Sequence, residues 1–302
     1  MAQADLPRLA DSHHSPEEIL SHPDFSAARK AFVDSILGLY ENDPFLSRLL
    51  IEAGRHVMFM MIICLSARYS EEERSTWPTI GRLQEAMRPF HLSSGRRIED
   101  LVARLAHTGF IKSAPSPQDG RVRILLPSEA MLDRDADWLV AHHRPLQILF
   151  STPGYDWILR RDRSFQRAHR SLSFDFAGHG AHILDSNPDM MLFMSRDIGM
   201  MVLMKLIQME GQDPGGMAEG LSFANIGERF GATRTHVRDI LKDAQAAGLV
   251  DLIGRGGKLV KLQPRVLQAF DRFIADSMSG HDLLYKLTAS GFAGAEARPM
   301  AS

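Results

Sequence analysis

Cysteine is almost absent from this chain: Cys64 is the only one among 302 residues. A single thiol builds no intrachain disulfide framework, which excludes the small disulfide-stapled scaffolds and fits the reducing cytoplasm. Net charge is nearly absent too. Lys and Arg number 35 and Asp and Glu 37, for a formal net charge of −2. No chain-wide positive field draws in nucleic acid, so any such binding has to come from local basic patches. Long apolar runs are missing. The longest, Val57 to Leu65, falls well short of the roughly 20 residues that cross a bilayer. The opening MAQADLPRLADSHHSPEE carries no apolar signal-peptide core. There is no P-loop, no GxGxxG after a strand, no HExxH, no GxSxG and no cysteine-based metal motif. The alternation of strands and helices that supplies a cofactor-binding sheet is also lacking. The expectation is a cytoplasmic protein that is not an enzyme, with no cofactor, no metal and no membrane partner.

What is present centres on Ser93 to Leu126, SSGRRIEDLVARLAHTGFIKSAPSPQDGRVRILL. Ser93 or Ser94 can cap a helix whose apolar stripe is Ile98, Leu101, Val102 and Leu105. Gly109 ends that helix, and Phe110-Ile111 opens a strand. Asp119-Gly120 marks a turn before the alternating Val122, Ile124 and Leu126. Arg96, Arg97 and Arg104 lie on the polar side of the helix, and Arg121 and Arg123 on the turn. A helix with a basic face followed by a basic two-stranded ribbon is the pattern of a winged helix-turn-helix, which fits a helix into the major groove and lays the ribbon along phosphates. Ile80, Leu83 and Met87 supply the preceding helix of the motif.

The same order of elements returns later in the chain. Phe165-Gln-Arg-Ala168 echoes Phe25-Ser-Ala-Ala28, Gly178 falls where Gly38 did, and Asn187-Pro188 answers Asp43-Pro44. Met194 to Ile198 answers Ala53 to Val57, each opening an apolar helix. Phe223, Ile226 and Phe230 repeat the spacing of Ile80, Leu83 and Met87. Thr233 to Val250 repeats Ser94 to Ile111, and Pro264 matches Pro127, at offsets of about 137 to 144 residues. The pattern predicts a mainly α protein with small β-wings. It would hold tandem winged helix-turn-helix units arising from an internal duplication, flanked by interface helices. The boundaries read as an N-terminal arm over 1–24 with one helical turn capped by Ser15-Pro16, a first half over 25–150, a linker over 151–164, a second half over 165–290 and a tail over 291–302.

Ser93 to Ser128 resembles the winged-helix core of MarR-type transcriptional regulators. The matching residues are Arg97-Ile98-Glu99-Asp100-Leu101-Val102-Ala103-Arg104-Leu105, Gly109-Phe110-Ile111, and Asp119-Gly120-Arg121 with Leu126-Pro127-Ser128 following. The likeness is looser in the second half, where Arg255-Gly256-Gly257-Lys258 replaces the acidic-then-basic wing. The resemblance implies a transcriptional regulator that binds double-stranded DNA. It also implies that Asp119 orients a basic wing residue and that Arg121 reaches towards the minor groove. A tight turn with two exposed charges reads equally from these residues. The family works as a homodimer of one-unit subunits, so a chain with two units would be its own pseudo-dimer, with further homodimerisation left open.

Base-reading positions lie near the start of the second helix of such a motif. They are Ser93, Ser94, Arg96 and Arg97 in the first half, and Thr233, Arg234, Thr235, His236 and Arg238 in the second. Wing contacts would come from Asp119, Arg121 and Arg123, and from Arg255 and Lys258. Six basic residues oppose three acidic ones between 93 and 123, and again between 233 and 261. A chain of net −2 thus concentrates positive charge in its two reading units, although a solvated helix face would show the same charges. The two recognition helices are expected roughly 34–36 Å apart, one DNA turn, over a pseudo-palindromic site. Two other readings stay open: a winged-helix module that docks onto a protein, and a ligand-sensing relative that has lost DNA binding. A small-molecule effector is an expected partner in the regulatory reading. Met58, Met60, Met61, Met190, Met191, Met194, Met200, Met201 and Met204 read as core or interface filling, with an effector pocket or sulfur-ligated metal as the alternative. Trp77, Trp138, Tyr155 and Trp157 read as core, or as the lining of a ligand cavity. Cys64 reads as a buried thiol, with a redox sensor as the alternative that the lack of a flanking cation disfavours. His142-His143 reads as a poor chelate, because neighbours on a helix point about 100° apart.

Overall fold

Short polar side chains set where the helices begin. In the computed structural model, which describes residues 13–210, 222–253 and 259–296, Ser15 and Glu18 form a reciprocal capping box at the start of α1 (Pro16–Ser21). Asp43 caps α3 (Pro44–Leu50) by accepting from Leu46 N at 2.9 Å. Thr79, Ser94 and Ser128 do the same for α5 (Ile80–Met87), α6 (Gly95–His107) and α7 (Glu129–Leu149). Each cap satisfies an N–H that the helix itself leaves without a partner. Between them lie α2 (Phe25–Tyr40), with its buried stripe Phe25, Ala28, Phe32, Ile36, Leu37 and Tyr40, and the nearly all-apolar α4 (Ala53–Ala67). β1 (Ile111–Pro115) pairs antiparallel with β2 (Arg123–Pro127), Ile111 opposite Pro127 and Pro115 opposite Arg123.

The chain continues through α8 (Asp156–Leu159), α9 (Arg163–Asp175), α10 (Ala177–Asp185), α11 (Pro188–Met194), α12 (Gly199–Glu210), α13 (Phe223–Phe230) and α14 (Arg234–Ala246). A second hairpin joins β3 (Val250–Ile253) to β4 (Leu259–Leu262), Val250 opposite Leu262. The last helix, α15 (Pro264–Glu296), spans 33 residues, about 50 Å at 1.5 Å per residue. The molecule is therefore mainly helical with two small antiparallel hairpins.

Several boundaries differ from the sequence reading. The helix α7 runs through Pro145 to Leu149, because Leu146 and Leu149 on the far side are buried in the core and hold the last turn in place. The segment expected to answer α2 is two helices, α9 and α10, broken at Phe176. The stretch read as a linker carries α8, and Tyr155 and Ile158 within it are buried. The arm is tied down over its described part. Ile19 is fully buried, His14 stacks on Phe150, and Glu17 pairs with Arg272 of α15. α15 continues through residue 290 to Glu296.

Between the second pair of helices the turn needs glycine. Gly231 has φ +73°, and a Cβ on Gly227 would lie 2.5 Å from the Ala232 carbonyl oxygen. The first pair turns on His91, at φ +53°.

One continuous apolar core joins the two halves, running from Ile19 to Tyr285. Inside it sits an ion pair. Arg170 of α9 and Asp135 of α7 are 3% and 1% exposed, and meet through Nε–Oδ2 at 3.0 Å and Nη2–Oδ1 at 2.6 Å. Gln166 adds a 2.8 Å bond to the same carboxylate. Among the described residues, no single helix is long and apolar enough to cross a membrane.

Removing one member of a buried pair strands the other charge in a medium that cannot solvate it. Asp135→Ala is expected to cost about 3–5 kcal/mol of folding stability, read as a lower urea midpoint. A midpoint equal to that of the unmodified chain would contradict this role.

Candidate functional site

The first helix–helix–hairpin unit is α5, α6 and β1–β2. Ile98, Leu101, Val102 and Leu105 bury one face of α6, which leaves its opposite face to solvent. Ser94 caps the helix, accepting from Arg97 N at 3.4 Å. Arg96 is exposed and makes no ion pair or hydrogen bond through its side chain among the described residues. Arg97 behaves differently. Its guanidinium reaches back to the buried carboxylate of Glu52, which caps α4, at 2.5 Å. Ser93 also turns inward. Its Oγ is buried with no partner among the described residues, and a Cβ on Gly54 would lie 2.7 Å from it. Two of the four expected reading positions are thus aimed at the start of α4, because that helix end packs directly beneath them.

On the hairpin, Asp119 accepts from the backbone N–H of Arg121 at 3.2 Å, which closes the turn. Its side chain pairs with Arg74 at 3.3 Å, not with a wing guanidinium as the family resemblance implied. Arg121 is exposed. Arg123 folds against the neighbouring strand, donating to Ser113 Oγ at 2.9 Å and to the Ser113 carbonyl, so the strand edge holds it.

The second unit is α13, α14 and β3–β4. Thr233 caps α14 by accepting from His236 N at 3.1 Å. Arg234 and Thr235 are exposed, and the Arg234 side chain has no ion pair or hydrogen bond among the described residues. Arg238 approaches its neighbour Asp239 at 3.5 Å. His236 Nε2 lies 2.8 Å from the Asp197 carbonyl, so this ring is anchored to the loop before α12. Arg255 and Lys258 lie outside the described residues.

A polar chain links the two helix starts. Arg97 meets Glu52, Glu52 meets Arg55 at 3.5 Å, Arg55 meets the Asp197 side chain, and the Asp197 carbonyl meets His236. Beneath it, a cavity of about 190 Å³ is lined chiefly by apolar side chains, among them Met60, Phe90, Trp138, Ile183 and Leu284, with Arg170, His56 and His281 as polar groups. Trp138 alone of the four large aromatics singled out in the sequence lines it. Phe90 belongs to the 3₁₀ turn (Arg88–Phe90) between α5 and α6, so the cavity wall includes part of the first unit.

Beside the cavity lies a group of histidines drawn from four helices: His56, His142, His143, His169 and His281. His142 stacks on Trp138 at 3.6 Å between ring centroids. His143 and His169 are fully buried. Burial is the first cause in every case and disfavours the charged ring. It pushes His56 and His143 down to about 4 and His142 to about 3, and holds His169 and His281 well below the ordinary value. Burial likewise pushes the Cys64 thiol up to about 12. Most of the methionines singled out are core residues, Met58 and Met190 fully so.

Sequence reasoning missed the histidine group because its members are far apart in the chain; adjacency of His142 and His143 was the only local signal. These imidazoles have folded pKa values below the unfolded value, so the unfolded chain binds more protons once the pH drops below about 6.5. Stability is therefore complete above that pH and falls as pH falls towards the folded values. Between pH 7.5 and 5.5 a loss of about 1 kcal/mol is expected for each of His142, His143 and His169, read from urea unfolding at the two pH values. Equal stability at both would contradict neutral burial.

No protein-family model, no curated protein and no solved structure matches the chain.

Proposed function

We propose that the chain is a DNA-binding transcriptional regulator whose two helix–helix–hairpin units are winged helix-turn-helix modules reading the non-identical halves of a pseudo-palindromic site. The observation that carries this reading is the same in both units: an exposed arginine with no side-chain partner among the described residues stands in the first turn of the second helix, Arg96 on α6 and Arg234 on α14. Side chains at that place contact base edges when such a helix lies in the major groove, and an arginine donates two hydrogen bonds to guanine. Arg121, Arg104 and Lys242, all exposed, suit phosphates.

Internal duplication gives the reading its two-fold character. Seven-residue helices opening on proline (α3 and α11), then apolar helices (α4 and α12), then a helix pair, a hairpin and a long closing helix follow one another in both halves. One chain would then supply what a homodimer supplies in the MarR-type proteins it resembles. The cavity beside Phe90 is where a small apolar effector would act, because its wall includes the turn that positions α6.

Protein docking is the second reading. The engagement of Arg97 by Glu52 and of Arg123 by Ser113 favours it, since both side chains are partly withdrawn from any phosphate or base.

Variants separate the two. With duplex DNA from the chain's own upstream region, Arg96→Ala and Arg234→Ala are each expected to weaken binding by about 1–3 kcal/mol. Footprints should show each variant losing a different half-site. Unchanged affinity in both variants, or loss of the same half-site, would contradict the reading.

A further inference from the structure

We infer that His143, His169 and His281 form a binding site for one divalent transition-metal ion of the zinc type. The three residues come from α7, α9 and α15, and one ring nitrogen from each lies within 4.8 Å of the other two. One ring nitrogen of each, His143 Nε2, His169 Nε2 and His281 Nδ1, is buried with no hydrogen-bond partner among the described residues, and so is free to be the atom that takes the metal.

Hydrogen bonds on the far side of two rings fix which nitrogen carries the lone pair. His143 Nδ1 lies 2.8 Å from the Leu139 carbonyl. A carbonyl only accepts, so Nδ1 carries the proton and Nε2 presents a lone pair to the cluster. Ser173 Oγ donates its one proton to the His169 carbonyl at 2.7 Å. It is left to accept from His169 Nδ1 at 3.4 Å, and again Nε2 faces inward as a lone pair. Orienting a ligand imidazole through its second nitrogen is how proteins prepare histidines for a metal.

Without an ion, this arrangement costs stability. Each buried ring nitrogen without a partner is a polar atom taken from water with nothing in return, and here three gather at one point. The geometry is near that of a bound state. Three nitrogens no more than 4.8 Å apart enclose a point at most about 2.8 Å from each, so an inward movement of at most about 0.8 Å reaches the roughly 2.0–2.1 Å of a zinc–imidazole bond. Three imidazoles and no carboxylate suit zinc, copper, nickel or iron and do not suit magnesium or calcium. The buried Asp282 carboxylate, adjacent to His281, is bonded to Tyr155 Oη at 2.8 Å and paired with Lys286 Nζ at 2.9 Å, and the Arg170 guanidinium beside the histidines is paired with Asp135. His281 and Ser173 also line the cavity, so a molecule held there would sit against the metal's surroundings. The inference stands independently of DNA binding.

Metal-free full-length chain is incubated with Zn²⁺ or Co²⁺, dialysed and analysed for bound metal. One equivalent is expected, together with the visible absorption of a four-coordinate cobalt centre and a raised melting temperature. His143→Gln, His169→Gln and His281→Ala should each lower affinity at least tenfold, whereas His142→Phe should keep the stoichiometry. Should a ligand variant fail to fold, the cobalt spectrum of the unmodified chain decides alone. Less than a tenth of an equivalent bound, a six-coordinate cobalt spectrum, or full binding in folded variants of all three ligands would overturn the site.

Discussion

The Arg170–Asp135 pair is the constraint on which the arrangement of this molecule depends. It lies almost without solvent in the core, and its two partners belong to α9 and α7, one from each half of the chain. An ion pair in such a place tolerates little displacement, because its Coulomb attraction offsets desolvation only when the hydrogen bonds are well made. Its two direct bonds, with Gln166 as a third, tie α7 to α9. His143 of α7 and His169 of α9 lie 6.0 Å apart between ring centroids, and His281 of α15 lies 5.2 Å from His143. Arg170 also lines the cavity.

Between the two units the environment differs more than their outlines do. In the first, Arg97 is held by Glu52 and Ser93 is tucked against Gly54; in the second, His236 is held by the Asp197 carbonyl. Arg55 touches both Glu52 and Asp197, so the starts of α6 and α14 share one polar chain. A shift in either helix would be felt at Arg55. Similar elements thus stand in different surroundings at the starts of α6 and α14.

Much of the helical framework was legible in the sequence because caps are local chemistry. Ser15, Asp43, Ser94, Ser128 and Thr233 each accept from the N–H three residues on, and the first hairpin announced itself by alternation and the Asp119-Gly120 turn. Passage through Pro145 and the break at Phe176 were not legible, since packing from distant residues decides both. The direction of Arg97 was hidden for the same reason: its partner lies 45 residues away. The histidine group is the extreme case, assembled across 26 residues and then 112, with no motif spacing to mark it.

Whether the two units meet DNA is tested most directly by the salt dependence of duplex binding. Affinity of the unmodified chain for its own upstream DNA is measured by fluorescence anisotropy at a series of salt concentrations. Phosphate contacts release counterions, so log K is expected to fall linearly with log salt, with a slope of about −0.9 for each phosphate neutralised. An absence of binding at low salt, or an affinity indifferent to salt, would contradict DNA reading and favour a protein partner.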